Sequence, residues 1–580
     1  MKNKETLSII SSKNFIPIFF TILFLYFFGL NVYQMHDQHW TAMLDQDIKM
    51  IYNSLLISSG FEQAYRDHPA YTTFLILGGI FKICSIFFDN FTIQEVLAAD
   101  NIDKEFQKLF YIARVINGFY IFLVTFFIYK ILIELKVSNF ISILSTSLSL
   151  FFISFYELLF LVRSEIVSVL MFLISFYFLT KFLNRNNIIY IILTGFFFCL
   201  SMLAKIQVIF LYFVILIALP FLIYYLDVSK KLHHLIKKNK FLELSKIVII
   251  LFFGLYILSQ LILSKNFLSE LNDPAFSLLH NEDLILLLFF VSIYFLFIKL
   301  LSKYYLINSN LVVISIGMII TGFVICLLIV FLLDVTNIIP FHELNLLRLT
   351  NPIKFMTIHT FEMRHEVSIL ITIKALIQAA LGFYDLSAQF NEAYNPTILS
   401  IDTKIFFRNL HLLLLLLLII FSFFKIKDKN LIYLSIVFLL GTSIYYLIFL
   451  LRETTGYNIF LFLLYVITIS ILLNRLNKKY YFMMYSIFLL VFLLENFLLS
   501  SIYKNVFSRE PSVYKICNIE KWKNSVNYVK NYNNRSYIKL VGDVDIWIKV
   551  YANKFYKITD IYCIQLRDEE GNRETEFKIN

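Results

Sequence analysis

The chain has 580 residues, of which 59% are hydrophobic and 16% are charged. An average soluble domain is about 45–50% apolar and about 25% charged, so this composition excludes a soluble globular protein and a disordered chain. The net charge of +11 matches the basic cytoplasmic loops of membrane proteins, and we predict no nucleic-acid partner.

Apolar runs long enough to cross a bilayer, which takes about 20 residues, follow one another along most of the chain. The first run comes after Lys2, Lys4 and Lys13, and no small-residue cleavage site follows it. We therefore interpret it as an uncleaved first helix rather than a signal peptide. The candidate runs are 14–33, 69–88, 109–130, 139–157, 163–182, 188–204, 206–226, 243–263, 283–301, 310–333, 405–424, 431–451, 457–473 and 480–500.

The charges of the loops decide how many of these fourteen runs cross. If 69–88 does not cross, the basic loops fall on the cytoplasmic side, and the long segments 34–108 and 334–404 fall outside, as the positive-inside rule requires. Gly78-Gly79 also weakens a helix in the middle of 69–88, which we expect to be a juxtamembrane or re-entrant element. We predict an all-α polytopic membrane protein with about 13 transmembrane helices, a cytoplasmic N-terminus and a periplasmic C-terminus.

The tail 502–580 differs from the apolar region 1–501 and predicts a small periplasmic α+β module. Trp522–Tyr532 is typical of a short helix, and alternating stretches typical of strands follow it. Cys517 and Cys563 fall in this tail, where a disulfide and two buried free thiols are equally supported. The alternating stretches are 536–541, 545–551 and 555–566.

The first external segment contains Asp45 and Asp47 ahead of an amphipathic stretch that ends at Gly60. Apolar residues recur there at helical spacing, among them Ile51 and Leu55, and predict a helix whose apolar stripe faces lipid. Gly60 suits the C-terminal cap. One aspartate suffices to cap the helix N-terminus, so the second favours a general base, although helix capping is an alternative explanation for both.

Further charged residues gather at the predicted external boundary. Each cation alone is explained by snorkelling of a long side chain, and Asp67-His68-Pro69 alone is typical of a turn. Charges at a membrane boundary are costly and are candidates for function, and their coincidence on one face is harder to explain by chance. These residues are Asp67, His68, Arg114, Arg163, Glu165, Lys205, Arg452 and Tyr457.

No firm cofactor is predicted. His36-Asp37-Gln38-His39 and His359 with His365 are the candidate ligands for a divalent metal, but the spacing is short and no further ligand is evident. The sequence contains no Walker loop, no GxGxxG and no GxSxG pattern, which disfavours a nucleotide-fuelled enzyme or an ATP-driven transporter.

The order and spacing of these motifs resemble the GT-C glycosyltransferases, the group that contains protein O-mannosyltransferases and the lipid A aminoarabinose or galacturonic acid transferases. The matches are short and fall mainly in the first 230 residues, with a weaker one near 452. This chain departs from the family pattern at Gln46, where Glu is frequent, and at Ala70, where a second Pro is frequent. The matching segments are Asp45 to Gly60, Asp67-His68-Pro69, Ala113-Arg114, Arg163-Ser164-Glu165, and Gly195 to Lys205.

The resemblance implies a GT-C-like catalytic domain over 1–501 that transfers a sugar, with inversion, from a polyprenyl-phosphate donor. The acceptor would be a hydroxyl of a lipid, a glycan or a protein, and the reaction would take place at the periplasmic face of a bacterial inner membrane. Asp45 or Asp47 would act as the base, and Glu165 would orient the acceptor or hold a cation. Lys205, Arg163 and Arg452 would bind the donor phosphate, and the substrate-positioning residues would be His68, Asp67, Arg114 and Tyr457.

Three other functions stay open on the sequence. A lipid-linked glycan transporter or flippase would carry ionisable residues near the centres of its helices, whereas the charges here collect at one face. An O-antigen ligase or polymerase would depend on a late external loop containing Arg348, Arg364 and His365. A membrane scaffold that presents 502–580 would not need the aspartates of the first loop.

Overall fold

The computed structural model describes a little over half of the chain, mostly helices. The described residues are 15–35, 47–61, 63, 70–99, 102–152, 155, 158–159, 161–226, 228, 243–252, 254, 292–303, 309–336, 338–341, 349, 410–426, 429–449, 458–476, 480, 482–494, 538–539, 561–562, 564–567 and 573–576.

The described part is almost entirely α-helical. Two short 3₁₀ segments, Leu148–Phe151 and Ile206–Val208, interrupt the helices. Segments 243–252 and 292–303 are also helical. The main helices are α1 (Phe15–Met35), α2 (Asp47–Ser58), α3 (Tyr71–Phe87), α4 (Ile93–Ala98), α5 (Ile102–Glu134), α6 (Asn139–Ser147), α7 (Ser164–Arg185), α8 (Ile188–Ala204), α9 (Ile209–Tyr225), α10 (Ser309–Val335), α11 (Leu410–Lys425), α12 (Lys429–Phe449) and α13 (Asn458–Leu473).

Within the described residues, five helices are long and apolar enough to cross a membrane. A helix satisfies all of its own backbone hydrogen bonds, which is why it suits a hydrocarbon environment. The protein is therefore a helical membrane protein, as its composition predicts, while the count of 13 crossings stays a prediction. The five spans are Phe15–Val32, Lys104–Glu134, Ser164–Arg185, Ile206–Tyr225 and Ser309–Val335.

Short strands occur near the C-terminus, inside the segment predicted to be an α+β module. Ile538–Lys539 pairs in parallel with Ile561–Tyr562, and Ile564–Arg567 pairs in antiparallel fashion with Arg573–Glu576. The predicted helix 522–532 and the two cysteines of the tail lie outside the described residues, so the module stays a prediction, with a disulfide and two buried free thiols as its alternatives.

Helix α2 ends as the sequence predicts but packs differently. Gly60 adopts a φ of +81°, the N–H of Phe61 donates to Leu56 O, and the N–H of Gly60 donates to Ile57 O. These two bonds form a Schellman cap. The predicted lipid-facing stripe is wrong, because Ile51 and Leu55 are fully buried inside the protein, and the helix packs against α3.

Helix α3 is continuous through Gly78-Gly79, contrary to the expected weakening. A Cβ at Gly78 would lie 2.8 Å from Ser54 O of α2, so this glycine lets two backbones approach closely. Tertiary packing therefore outweighs the low helix propensity of glycine. The juxtamembrane or re-entrant placement of 69–88 stays a prediction.

Helices α8 and α10 cross at a pair of glycines. A Cβ at Gly195 would overlap Ile319 O, and a Cβ at Gly322 would overlap Ile192 O. Small residues at such crossings allow close van der Waals packing, which drives helix association where no hydrophobic effect operates between helices.

Hydrogen bonds connect the residues at the ends of α5, α6, α9 and α13 at one end of the bundle. Lys136 Nζ donates to Leu226 O, Asn474 Nδ2 donates to Lys136 O, and Tyr225 OH donates to Leu135 O. We call it the basic end, since its exposed or half-buried cations include Lys130, Lys136, Lys181, Arg185, Lys425 and Arg475. The segments predicted to be external adjoin the opposite end of the described helices.

Candidate active site

The candidate site forms where α7 begins and α8 ends. Arg163 is the N-cap residue of α7, with extended dihedrals of φ −127° and ψ 149°, and Glu165 lies in the first turn. A carboxylate there is stabilised by the positive end of the helix dipole. The predicted start of a helix at Arg163-Ser164-Glu165 is confirmed.

Lys205 occupies the break between α8 and the 3₁₀ turn Ile206–Val208. Its backbone is extended, with φ −156° and ψ 116°, while its N–H donates to Ser201 O at 3.0 Å. The break turns the side chain of Lys205 away from the regular helical positions of α8. Its predicted location between two helices is therefore confirmed.

Lys205 and Glu165 form a buried ion pair. Lys205 Nζ lies 3.1 Å from Glu165 Oε1, and both side chains are 0% exposed. Lys205 therefore does not snorkel to water, which was the alternative explanation for this cation. Desolvating two charges costs several kcal/mol per ion, so a buried pair is weak evidence for stability and a stronger indication of function.

The antiparallel packing of α7 on α8 brings these two residues together. Ser168 Oγ donates to Ser201 O at 3.1 Å, and Ser201 Oγ donates to Ser168 O at 2.8 Å. Farther along the pair, Ser175 Oγ donates to Thr194 O at 2.7 Å. These small polar residues fix the register, so that Glu165 and Lys205 meet at the open end of the helix pair.

Arg163 and Arg114 add positive charge at this end of the bundle. Arg163 attracts the Glu165 carboxylate electrostatically. Arg114 lies about three turns inside α5 rather than at its end, is fully buried, and holds its guanidinium carbon 5.4 Å from the centroid of the Phe110 ring.

Two buried asparagines connect α5 to the segment that leads into α7. Asn31 Nδ2 donates to Arg114 O at 2.6 Å and to Leu159 O at 2.8 Å, and Asn117 Nδ2 donates to Leu161 O at 2.5 Å. The irregular backbone before Arg163 is thus held by side-chain amides. Sequence reasoning missed both residues, although an amide inside an apolar helix is a detectable signal.

The N-terminal turn of α3 packs against the same region. Thr72 Oγ1 donates to Leu200 O of α8 at 2.7 Å, and the Tyr71 ring meets the Phe341 ring edge-on, 4.8 Å between centroids. The N–H of Phe341 donates to Asp334 Oδ1 at 2.8 Å. The end of α10 and the residues that follow Asp67-His68-Pro69 therefore come together beside α8. Asp334 was also missed by sequence reasoning.

Several predicted site residues lie outside the described residues, namely Asp45, Asp67, His68, Arg452 and Tyr457. Asp47 begins α2, as expected for a residue at a helix N-terminus. The structure therefore brings together Glu165 and Lys205, places Arg163 and Arg114 at the same end of the bundle, and leaves the candidate bases as predictions.

Within the described part of the chain, no three His, Cys, Asp or Glu side chains are grouped as metal ligands would be. The candidate ligands His36, His39, His359 and His365 fall outside the described residues.

Comparisons with protein-family models, with curated proteins and with solved structures gave no match to this chain. The resemblance to GT-C glycosyltransferases therefore depends on the sequence motifs alone.

Proposed function

We propose that this protein is an inverting glycosyltransferase that moves a sugar from a polyprenyl-phosphate donor to a hydroxyl group of a lipid, glycan or protein acceptor. The proposal includes a GT-C-like fold with 13 crossings, an N-terminus in the cytoplasm, and an active site at the periplasmic face of a bacterial inner membrane. The donor and the surrounding membrane lipids would be its partners, with no nucleic acid involved.

The buried pair of Lys205 and Glu165 is the observation that carries this proposal. Its ammonium and carboxylate are 3.1 Å apart and wholly excluded from solvent, at the end of the bundle where Arg163 and Arg114 also lie. A hydrophobic pair of similar volume would be at least as stable, so stability alone does not explain these charges. Cations held in advance in a site with little water are suited to stabilising a developing anion.

The proposed chemistry is a single displacement at the anomeric carbon. Asp45 or Asp47 accepts the proton of the acceptor hydroxyl, the hydroxyl oxygen forms a bond to the anomeric carbon, and the bond from that carbon to the phosphate oxygen breaks. The electron pair stays on that oxygen and leaves with polyprenyl phosphate, which gains one negative charge. A phosphate monoester has a second pKa near 6, so it departs without a general acid at neutral pH.

Lys205 would offset the negative charge that develops on the phosphate, with Arg163 and Arg452 as the further phosphate-binding candidates. Glu165 would hold Lys205 in position, which the 3.1 Å contact supports, rather than touch the acceptor. His68, Asp67, Arg114 and Tyr457 would position the first loop and the donor head group.

The test is mass spectrometry of glycolipids and glycoproteins from cells that lack the gene, complemented with wild type, Asp45→Asn or Asp47→Asn. Asp89→Asn is the matched control, since Asp89 is an exposed carboxylate of the same external segment. We expect a sugar-bearing species to vanish on deletion and to return with wild type and Asp89→Asn. One of the two other variants should fail, because an amide does not accept the proton.

Restoration by both variants would overturn the proposed mechanism and favour the transporter or the scaffold. Accumulation of a lipid-linked glycan on one side of the membrane, with Asp45 and Asp47 dispensable, would favour the transporter. Dependence on Arg364 instead of the first-loop aspartates would favour a ligase or polymerase.

A further inference from the structure

A stripe of aromatic rings runs along α5 and ends in a lysine. Phe119 stacks on Phe122, and Phe122 stacks on Phe126, with 6.4 Å between centroids in each case. Lys130 Nζ lies 5.2 Å from the centroid of the Phe126 ring. The spacings of three, four and four residues place these side chains on one face of the helix. We call this set of four residues the α5 stripe.

The α5 stripe is partly open to its surroundings and has the length of one leaflet. Phe119 is 44% exposed, and Phe122, Phe126 and Lys130 are half-buried. The distance from Phe119 to Lys130 along the helix axis is about 16 Å, close to half of a hydrocarbon core about 30 Å thick. Helix α1 packs along one side of the stripe, where Phe24 lies 5.2 Å from Phe122 and Phe20 lies 5.3 Å from Phe126, so the acyl chain would occupy the side of the rings that α1 leaves exposed.

A second lysine lies at the level of Lys130 on the neighbouring helix. Lys181 of α7 rests on the rings of Tyr177 and Tyr190, at 5.2 and 4.6 Å from their centroids. Tyr177 touches Phe127 of α5, and Asn184 Nδ2 donates to Glu134 O one turn farther on. In both contacts the two residues are 50 positions apart, which means that α5 and α7 run parallel in this register. Lys130 and Lys181 therefore lie at nearly the same level at the basic end.

The positive charge of Arg185, the next cation along α7, is already compensated by a carboxylate. Arg185 pairs with Glu134, with 3.7 Å between nitrogen and oxygen. The carboxylate of Glu134 also accepts a hydrogen bond from Asn184 Nδ2 at 3.0 Å. Lys130 and Lys181 rest on aromatic rings instead, which leaves their charge available to an anion while their stems cover apolar surface.

We infer that the α5 stripe binds one anionic phospholipid of the leaflet at the basic end. The acyl chain would lie along the three phenyl rings, and the phosphate would be held between Lys130 and Lys181. A headgroup with net negative charge is favoured over a zwitterionic one, because the amine of the latter would lie beside two cations. This site is at the opposite end of the bundle from Lys205, so it is independent of the proposed transfer reaction.

The experiment is native mass spectrometry of the full-length protein titrated with phosphatidylglycerol or with phosphatidylcholine. Lys130→Gln with Lys181→Gln removes both charges, and Lys130→Arg with Lys181→Arg retains them. Lys425→Gln is the control, since Lys425 is an exposed lysine of the same end that rests on Tyr480, away from the α5 stripe. We expect affinity for phosphatidylglycerol to fall about fivefold for each neutralised lysine, equivalent to about 1 kcal/mol.

The Arg variant and the Lys425→Gln control should bind like wild type, and phosphatidylcholine should bind weakly to every variant. Equal loss in the Lys425→Gln control would show diffuse attraction to the basic end and overturn the site. Equal binding of phosphatidylcholine would also overturn it. Elution of the double Gln variant as a monodisperse peak separates a lost site from a lost fold, and the Arg variant serves the same purpose if the Gln variant aggregates.

Discussion

Lys205 Nζ lies 3.1 Å from Glu165 Oε1, and neither side chain reaches solvent. The contact depends on the antiparallel register of α7 and α8, which is set by Ser168 and Ser201 through two reciprocal hydroxyl-to-carbonyl hydrogen bonds. Each residue alone would leave an uncompensated charge inside a membrane protein. The pair is therefore one unit, and it should respond as one unit to mutation.

Removing one charge of this pair should lower the free energy of unfolding more than removing both charges. We expect Lys205→Met to lower the free energy of unfolding by about 3–5 kcal/mol, because the Glu165 carboxylate would stay buried without its cation. The double variant Glu165→Gln with Lys205→Met should recover most of that loss and yet restore no glycan transfer in cells. Denaturant titration in detergent micelles measures the first effect, and the complementation assay measures the second.

The control for that experiment is Lys246→Met. Lys246 also contacts a glutamate, Glu243, at 2.9 Å, but both side chains are about half exposed, and such pairs contribute about 0–1 kcal/mol. An effect of Lys205→Met as small as that of Lys246→Met would show that the buried charges are not interdependent.

The glycine crossing of α8 and α10 gives a second prediction. We expect Gly195→Ala and Gly322→Ala each to destabilise the protein by about 1–3 kcal/mol, because the added methyl group would overlap a backbone carbonyl of the other helix. Gly79→Ala in α3 is the control, since nothing lies within 4 Å of a Cβ at that position. It should be neutral or slightly stabilising, because alanine favours a helix.

Thermal unfolding monitored by circular dichroism would separate these three variants. The expected order places Gly79→Ala at or above wild type and both crossing variants below it. A crossing variant as stable as Gly79→Ala would mean that the two helices separate at little cost.

The pattern of charges, apolar runs and caps anticipates much of the local structure. Gly60 ends α2, Arg163 opens α7, and Lys205 falls in a helix break, as the sequence predicts, because each depends on neighbouring residues in the chain. The ion pair between Lys205 and Glu165 depends on the register of two helices, which no local pattern encodes. The same holds for Gly78, whose role appears only when α2 packs against it.

The capping box of α4 should make local stability depend on pH. Thr92 Oγ1 accepts from the N–H of Glu95, and Glu95 Oε2 accepts from the N–H of Thr92 and of Phe91, at 3.1 Å each. Burial disfavours the charged carboxylate, but these backbone hydrogen bonds outweigh it and lower the pKa of Glu95 below its ordinary 4.5. A lowered folded-state pKa contributes stability above pH 4.5 that is lost as the pH falls through the folded value.

Hydrogen exchange of the peptide covering residues 90–98 would measure this dependence in wild type and in Glu95→Gln. At neutral pH the wild-type amides should exchange more slowly than those of the variant, and the difference should shrink in acid. Comparing the two proteins at the same pH removes the intrinsic pH dependence of exchange. A difference that stays constant below pH 4.5 would contradict the contribution of the ionised carboxylate.

Asn31 provides a final prediction, because one buried amide group supports the backbone on which the candidate site is built. Asn31→Leu would leave Arg114 O and Leu159 O without this donor, at a cost of about 1–3 kcal/mol for buried acceptors that lose a hydrogen bond. Since Leu159 precedes Arg163 by only four residues, transfer activity should fall further than stability does.

Asn474→Leu is the matched control, since Asn474 makes similar amide contacts to Lys136 and Ser138 at the basic end. It should destabilise the protein without this additional loss of activity, and an equal loss in both variants would show that Asn31 acts through general stability alone.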